Sequence, residues 1–273
     1  MAGAAVKPAP FAYAAPRTLD EALGLLDGRD DAVALAGGQS LVPMLNFRLA
    51  RPAIVVDLNR IDGLDALHVG DDGALRIGAL ARQAALEHAP SVGRGWPLLH
   101  QAVRLVAHPA IRSRGTVGGS VVHADPRAEL PAALLALDAR LRLVSRAGER
   151  VVALADFVRG PMWTALAPGE LLREIEVPPL PPDARTAFVE HTRTHGDYAL
   201  AAVAVALAPG ARAAVAVIGA GPVPARSSDA EAALVGGAPA AEVGAAAATG
   251  VGDAYRAALI AELTTRAVVQ VRA

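Results

Sequence analysis

The sequence of 273 residues contains no cysteine. Disulfide bonds, thiolate zinc sites, cysteine-ligated iron–sulfur clusters and cysteine nucleophiles are therefore all excluded. Lysine is scarce too: Lys7 is the single lysine among 26 basic residues, and 27 acidic residues bring the net charge to −1. A net charge so close to zero does not predict binding to nucleic acid or to an acidic membrane surface.

Long apolar runs are also missing. The longest, Ala199–Ala208, is far shorter than the ~20 residues that a membrane-spanning helix needs. Prolines interrupt the N-terminal segment, which lacks the continuous apolar stretch of a signal peptide. We therefore expect a cytoplasmic protein without a transmembrane segment. Its 53% hydrophobic content is enough for a full core, in one large domain or two small ones.

The first part of the chain has the pattern of an α/β unit. Thr18 predicts a helix start, with Glu21 completing a capping box. The segment Asp30–Ala36 predicts a buried strand that runs into Gly37-Gly38. A helical turn over Leu41–Leu49 and a strand over Ala53–Leu58 follow.

Further along, strands and helices alternate up to a proline-rich linker. Residues 70–73 predict a hairpin turn between strands Leu64–Val69 and Ala74–Ile77, and Gly115–Ser120 predicts a glycine turn. Pro178–Arg185 predicts a linker to a smaller α+β module. The remaining expected helices are Leu80–His88, Pro97–Ala107, Leu130–Ala139, Ser228–Leu234 and Val251–Ala267, and the remaining strands are Arg140–Ser145, Arg150–Ala153, Leu171–Val177, Thr186–Thr192, Ala199–Leu207 and Ala213–Ile218.

The first candidate site is the segment Ala36–Leu41, between a strand and a possible helix. Two glycines allow successive backbone N–H groups to converge into an anion-binding nest, and the helix N-terminus adds its positive end. Ser40 adds a hydroxyl donor. A pyrophosphate suits such a nest, although an ordinary tight turn explains the same glycines equally well.

The second candidate site is Gly115–Ser120 with Asp125 downstream. Its glycines bring the backbone close to a neighbour, and Thr116 and Ser120 flank them with hydroxyls. Asp125 precedes a proline and is held extended, where its carboxylate can accept hydrogen bonds. A glycine-rich loop with a solvated aspartate is the alternative. One large ligand with two phosphates would explain both candidate sites.

Other chemistries find little support. No nucleophile elbow, P-loop or third ligand for His191 and His195 is present in the sequence. Ser120, His123 and Asp125 are adjacent in sequence, but a triad requires convergence in space. We therefore predict no catalytic side chain and no metal site.

Three segments carry a family resemblance: Ala36–Leu58, Ala107–Ala139 and Gly196–Val205. They resemble the FAD-bearing medium subunit of molybdenum hydroxylases, a family that includes aerobic carbon monoxide dehydrogenase and xanthine dehydrogenase. The resemblance runs from about Phe11 to the C-terminus. It implies an α+β protein: a vanillyl-alcohol-oxidase-type (PCMH-type) FAD-binding domain of two α/β subdomains, then a small α+β C-terminal domain. The implied limits are 1–178, with subdomains of about 1–60 and 61–178, and 186–273.

The resemblance also implies FAD-binding residues. The first loop wraps the pyrophosphate, the second reaches the phosphates and the ribityl chain, and Asp125 bonds the flavin side of FAD. Leu172 and the segment His108–Arg112 lie near the isoalloxazine ring. The full implied set is Leu35, Ala36, Gly37, Gly38, Gln39, Ser40, Leu41, Val106, His108, Ile111, Thr116, Gly118, Gly119, Ser120, Asp125 and Leu172.

One segment departs from the family pattern. Many relatives carry a tyrosine and a lysine where this chain has Phe188, Val189 and Glu190. An acidic residue there disfavours an anionic reduced flavin, and His191 or Arg193 is a possible source of the missing positive charge. The redox behaviour of the flavin is therefore open.

The resemblance implies electron transfer as the function. Non-covalent FAD accepts electrons from two [2Fe–2S] clusters in a small subunit, while a large subunit holds the molybdenum cofactor and the substrate. The expected assembly is a dimer of heterotrimers. The absence of cysteine fits this division, because the chain cannot ligate the clusters itself. The alternatives are a self-contained FAD-dependent oxidase of the same fold and a non-catalytic scaffold. The substrate and the electron acceptor are not determined by this sequence.

Overall fold

The computed structural model describes residues 7–208 and 212–273. Its N-terminal part is a three-stranded parallel sheet in the order β1-β3-β2. The elements are β1 (Ala12–Ala14), α1 (Leu19–Leu26), β2 (Ala32–Leu35), α2 (Leu41–Asn46) and β3 (Ile54–Asp57). Thr18 caps α1 by accepting a hydrogen bond from the Glu21 amide. The predicted strand, glycine loop, helix and strand are confirmed, but β2 is half-buried and not buried as predicted. Strand β1 was not predicted from its three residues.

A five-stranded antiparallel sheet forms the middle of the chain, in the order β4-β5-β10-β6-β7. Its strands are β4 (Leu67–Val69), β5 (Leu75–Gly78), β6 (Arg140–Ser145), β7 (Gly148–Ala153) and β10 (Leu171–Val177). A small hairpin adds β8 (Val158–Gly160) and β9 (Trp163–Thr164). The predicted hairpin around residues 70–73 is confirmed, with Gly73 in the left-handed region.

Seven helices lie between or beside these strands in the described part of the chain. They are α3 (Gln83–His88), α4 (Pro90–Gly95), α5 (Pro97–Leu105), α6 (Pro109–Arg112), α7 (Val117–His123), α8 (Glu129–Ala136) and α9 (Leu154–Phe157). Every residue of α8 is buried, so this helix lies at the centre of the largest apolar cluster.

The C-terminal part is an antiparallel sheet in the order β11-β12-β13-β14, with both faces covered. Its elements are β11 (Arg185–His191), β12 (Ala201–Ala208), β13 (Arg212–Ile218), β14 (Ala225–Arg226), α10 (Ser228–Val235), α11 (Ala240–Ala247) and α12 (Ala254–Arg272). Side chains alternate along β12: Val203 and Val205 pack in the cluster with α12, whereas Ala202, Ala204 and Ala206 pack in the cluster with α8. The alanines let α8 approach the sheet closely.

The segment 178–184 connects β10 to β11, as the proline-rich sequence indicates. The Trp96 indole donates to the Pro178 carbonyl at 2.8 Å and ties the connection to α5. The largest apolar cluster spans both sides of this connection, so the C-terminal sheet shares its core with α5 and α8. The domain limits at 178 and 186 stay a prediction. Helix α11 was not predicted, because an alanine-rich segment shows little apolar periodicity.

Candidate functional site

The first glycine loop, defined here as Leu35–Leu41, presents unpaired backbone donors. In the described part of the chain, the N–H groups of residues 37–41 donate to no protein acceptor. All seven residues of the loop are half-exposed. The Ser40 hydroxyl makes no capping bond, and the side-chain amide of Gln39 donates to the Gly37 carbonyl at 3.1 Å. Consecutive free amides of this kind form a site for an anion with several oxygens.

Both glycines of this loop are required by geometry. Gly38 has φ of 72°, a conformation that L side chains rarely adopt. A Cβ on Gly37 would overlap the carbonyl oxygen of Arg114 and lie 2.9 Å from the Cα of Gly115. The first glycine loop therefore meets the second glycine segment backbone to backbone, and the two candidate sites form one surface.

The second glycine segment, Gly115–Ser120, is not the turn that its sequence predicted. It is the cap and first turn of α7, because the buried Thr116 caps the helix by accepting from the Gly119 amide at 3.1 Å. The N–H groups of residues 115 and 117–120 all donate within the protein. This segment therefore offers a ligand the half-exposed Ser120 hydroxyl and few backbone amides, whereas the oxygen of the buried Thr116 hydroxyl already accepts the Gly119 amide.

Two glycines of this segment serve packing. A Cβ on the buried Gly118 would lie 2.6 Å from the Cα of Ala79, so α7 packs directly on the backbone after β5. A Cβ on Gly119 would lie 3.7 Å from the Cβ of Ala36. The start of α7 thus faces the first glycine loop at van der Waals distance.

Asp125 follows the left-handed C-cap of α7, Ala124, whose φ is 52°. One carboxylate oxygen, Oδ1, accepts from the Arg127 amide at 2.9 Å. The side chain is half-buried. Burial first, then the charges of Asp125 and Glu129, and also a hydrogen bond to Asp125, raise the pKa of Tyr198. Asp125 therefore lies in an acidic surrounding that includes a phenol from the C-terminal part.

Glu129 and Glu190 extend this acidic surrounding into the interior. Glu129 is 5% exposed, and burial together with the charge of Asp125 raises its pKa to about 7. Oε2 of Glu190 is buried without a hydrogen-bond partner in the described residues, and burial followed by the charge of Glu129 raises the pKa of Glu190 to about 8. At neutral pH Glu190 is thus mainly a neutral acid and adds little negative charge.

This pair predicts a loss of stability at alkaline pH. The folded state holds these protons more tightly than the unfolded chain, whose glutamates titrate near their ordinary 4.5. The stabilisation is full below about pH 4.5 and is lost as pH rises through about 7 and 8. We expect the free energy of unfolding to fall by a few kcal/mol between pH 5 and 9, since each unit of pKa difference is worth ~1.4 kcal/mol.

Urea unfolding at several pH values measures this loss. Glu190→Gln keeps the shape of the side chain but has no titrating group, so it should remove the part of the loss that ends near pH 8 and leave the part due to Glu129. Glu262→Gln is the control, because Glu262 is exposed on α12. A wild-type profile with no slope between pH 5 and 9 would refute the assignment.

The segment predicted to pass near the ring system borders the C-terminal part. His108 is the exposed N-cap of α6, and its ring centroid lies 6.0 Å from that of His195. A Cβ on Gly196 would lie 2.7 Å from Nε2 of His108. Val106 and Ile111 are half-buried on either side. The structure therefore brings His108 to the Gly196 loop.

Leu172 lies in the core. It is 5% exposed and shares the largest apolar cluster with Val117 and Val121 of α7. Its strand, β10, changes register against β6 between Leu172 and Glu174. Its predicted contact with the flavin stays a prediction.

Sequence reasoning missed two side chains at this surface, Asn59 and Arg82. Asn59 donates to the Ala36 carbonyl at 2.8 Å, and Arg82 donates to the Arg114 carbonyl at 2.6 Å. The only signal for Asn59 is its position just after the buried strand β3, and Arg82 carries no signal of its own.

Two clefts lie away from the glycine segments. One, of about 320 Å³, is on the charged face of the middle sheet, and another, of about 490 Å³, is near the C-terminus; neither is lined by a predicted site residue. Among the described residues, no helix is long and apolar enough to span a bilayer, and no three potential ligands gather for a metal ion.

Comparison with known proteins defines the class. Residues 9–180 match the family described as the FAD binding domain in molybdopterin dehydrogenase. Subunit alpha of the 6-hydroxypseudooxynicotine dehydrogenase complex of Paenarthrobacter nicotinovorans is 43% identical over 84% of this chain and 79% of its own length. The medium chain of carbon monoxide dehydrogenase from Afipia carboxidovorans is 38% identical over 73% and 69%.

A solved structure agrees along nearly the whole chain. A chain of carbon monoxide dehydrogenase from Hydrogenophaga pseudoflava superposes with a TM-score of 0.93 at 33% identity, covering 97% of this chain and 98% of that one. This likeness confirms the expected α+β fold with a PCMH-type FAD-binding domain. The chain belongs to the family of FAD-binding domains of molybdopterin dehydrogenases, and it is a FAD-binding oxidoreductase subunit of the molybdenum hydroxylase type. The free amides of residues 37–41 fit the diphosphate of FAD.

Proposed function

We propose that this chain binds FAD non-covalently and transfers electrons from [2Fe–2S] clusters of a partner subunit to an external acceptor. The supporting observation is the run of free N–H groups at residues 37–41, held against the start of α7. Several converging amides match the oxygens of a diphosphate. Bound FAD supplies the redox chemistry, and the protein binds, orients and tunes it.

Each part of the surface has a role in this proposal. The amides of the first glycine loop bind the diphosphate. The hydroxyls of Thr116 and Ser120 bond the phosphates and the ribityl chain, and Asp125 accepts from a donor on the flavin side. No side chain acts as acid, base or nucleophile on a substrate.

The partners follow from what the chain lacks. Without cysteine it cannot ligate iron–sulfur clusters itself, so any cluster that reduces its FAD belongs to another chain. The names of its relatives, a complex subunit and a medium chain, describe proteins that act in assemblies. We assign the clusters to a small subunit and the molybdenum cofactor to a large one, in a cytoplasmic dimer of heterotrimers.

Co-expression with the genes next to its own tests the assembly. We expect a yellow complex of three chains that contains FAD, iron and molybdenum in fixed ratio. A colourless chain that binds no added FAD would refute the proposal. A yellow chain that oxidises a small molecule by itself would favour the self-contained oxidase.

We expect acid to release the flavin completely. The chain has no cysteine for a covalent tether, and hydrogen bonds to a diphosphate do not survive unfolding. After trichloroacetic acid precipitation, the supernatant should hold all the flavin, measured by absorbance. Yellow colour that stays with the pellet would show a covalent bond through another residue.

A further inference from the structure

Asn59 connects the two glycine segments through hydrogen bonds. Its Nδ2 donates to the Ala36 carbonyl at 2.8 Å, and its Oδ1 accepts from Nη2 of Arg82 at 2.6 Å. Nη1 of Arg82 then donates to the Arg114 carbonyl at 2.6 Å. One continuous chain therefore joins the carbonyl that precedes Gly37 to the carbonyl that precedes Gly115.

These two carbonyls lie where the segments meet. The peptide between Ala36 and Gly37 is trans, so a carbonyl held by Asn59 directs the Gly37 N–H to the opposite side. The Arg114 oxygen is the atom that a Cβ on Gly37 would overlap. Arg82 thus fixes the position of the Arg114 carbonyl, against which the first glycine loop packs.

Asp57 and Tyr13 hold Asn59 in this orientation. Oδ1 of Asp57 accepts from the backbone N of Asn59 at 2.9 Å and from its Nδ2 at 2.6 Å, and Oδ2 accepts from the Tyr13 hydroxyl at 2.6 Å. Partial burial opposes ionisation, but these hydrogen bonds keep the pKa of Asp57 below its ordinary value. The carboxylate therefore stays charged as an acceptor at neutral pH.

From this arrangement we infer that Asn59 and Arg82 are positioning residues that set the spacing between the two glycine segments and aim the free amides at a diphosphate. In this role both side chains act through the loop carbonyls, Asn59 through that of Ala36 and Arg82 through that of Arg114. The inference rests on the proposed FAD binding and adds to it the residues that preorganise the site.

Titration of the flavin-free full chain with FAD tests the inference, in Asn59→Ala, Arg82→Gln and the double variant. We expect a Kd about 10-fold higher in each single variant. The double variant should also be about 10-fold weaker and not about 100-fold, because both residues belong to one hydrogen-bond chain. Arg266→Ala, which removes an exposed ion pair on α12, is the control and should match the wild type.

Riboflavin, which has no phosphate, separates positioning from general stability. Its affinity and the Tm of the flavin-free chain should stay close to wild type in the variants, so the ratio of FAD to riboflavin affinity falls. Unchanged FAD affinity would overturn the inference. An equal loss for both ligands with a lower Tm would also overturn it. A wild-type chain that binds riboflavin and FAD alike would instead overturn the proposed diphosphate site.

Discussion

Gly37→Ala is expected to weaken FAD binding by about 100-fold or more. The added Cβ would overlap the Arg114 carbonyl and lie 2.9 Å from the Gly115 Cα, and both are backbone atoms that cannot rotate away. The two glycine segments must then separate, and the backbone N–H groups of residues 37–41 no longer converge on one anion. Two lost hydrogen bonds to a charged group, at ~1.5–3 kcal/mol each, account for an effect of this size. FAD titration of the flavin-free chain measures it.

Gly24→Ala is the matched control. Gly24 is exposed on α1, and nothing lies within 4 Å of a Cβ there. Alanine is better than glycine in a helix by roughly 0.5–1 kcal/mol, so this variant should bind FAD normally and be at least as stable. If Gly37→Ala bound FAD as tightly as Gly24→Ala, the contact between the segments would have no bearing on the cofactor.

Asp125→Ala is expected to weaken FAD binding by roughly 5- to 150-fold in an intact fold. Oδ1 accepts from the Arg127 amide, and Oδ2 is the oxygen that we propose accepts from the ligand. Removal of the carboxylate leaves ligand donors unpaired in a partly closed site, at a cost of ~1–3 kcal/mol. Titration with FAD and circular dichroism of the same sample measure affinity and fold together.

Asp125→Asn distinguishes the ligand contact from the local turn. Asparagine keeps an oxygen for the Arg127 amide but has an NH₂ group where the second acceptor was. If the carboxylate binds FAD, Asp125→Asn should weaken FAD binding almost as much as Asp125→Ala does. If Asp125 only stabilises the local turn, Asp125→Asn should bind FAD as tightly as the wild type. The role of Asp125 would then be structural.

Local features of the site were readable from the sequence. Gly37-Gly38 after a buried strand indicated an open loop, and the structure has Gly38 in the left-handed region with free amides beside it. Such features depend on a few neighbouring residues. Gly115–Ser120 was misread as a turn because glycine usually ends helices, whereas here burial against Ala79 and the Thr116 cap stabilise a helix start.

Features that join distant segments were not readable. Asn59 and Arg82 are polar residues with no pattern around them, and they matter only because folding brings residues 36 and 114 together. No sequence pattern indicated the properties of Glu129 and Glu190 either. Burial raises both pKa values first; the charge of Asp125 further raises that of Glu129, and the charge of Glu129 further raises that of Glu190 across a sequence separation of 61 positions.

By itself, the sequence determined the alternation of strands and helices, the glycine loop after β2, the absence of cysteine ligands and the family. These depend on composition and short-range pattern, which need no tertiary contact. Only the tertiary structure decided that the two glycine segments form one surface, and that the first contributes amides and the second hydroxyls and packing. The reason is that a backbone donor is available to a ligand only when the fold provides it no other acceptor.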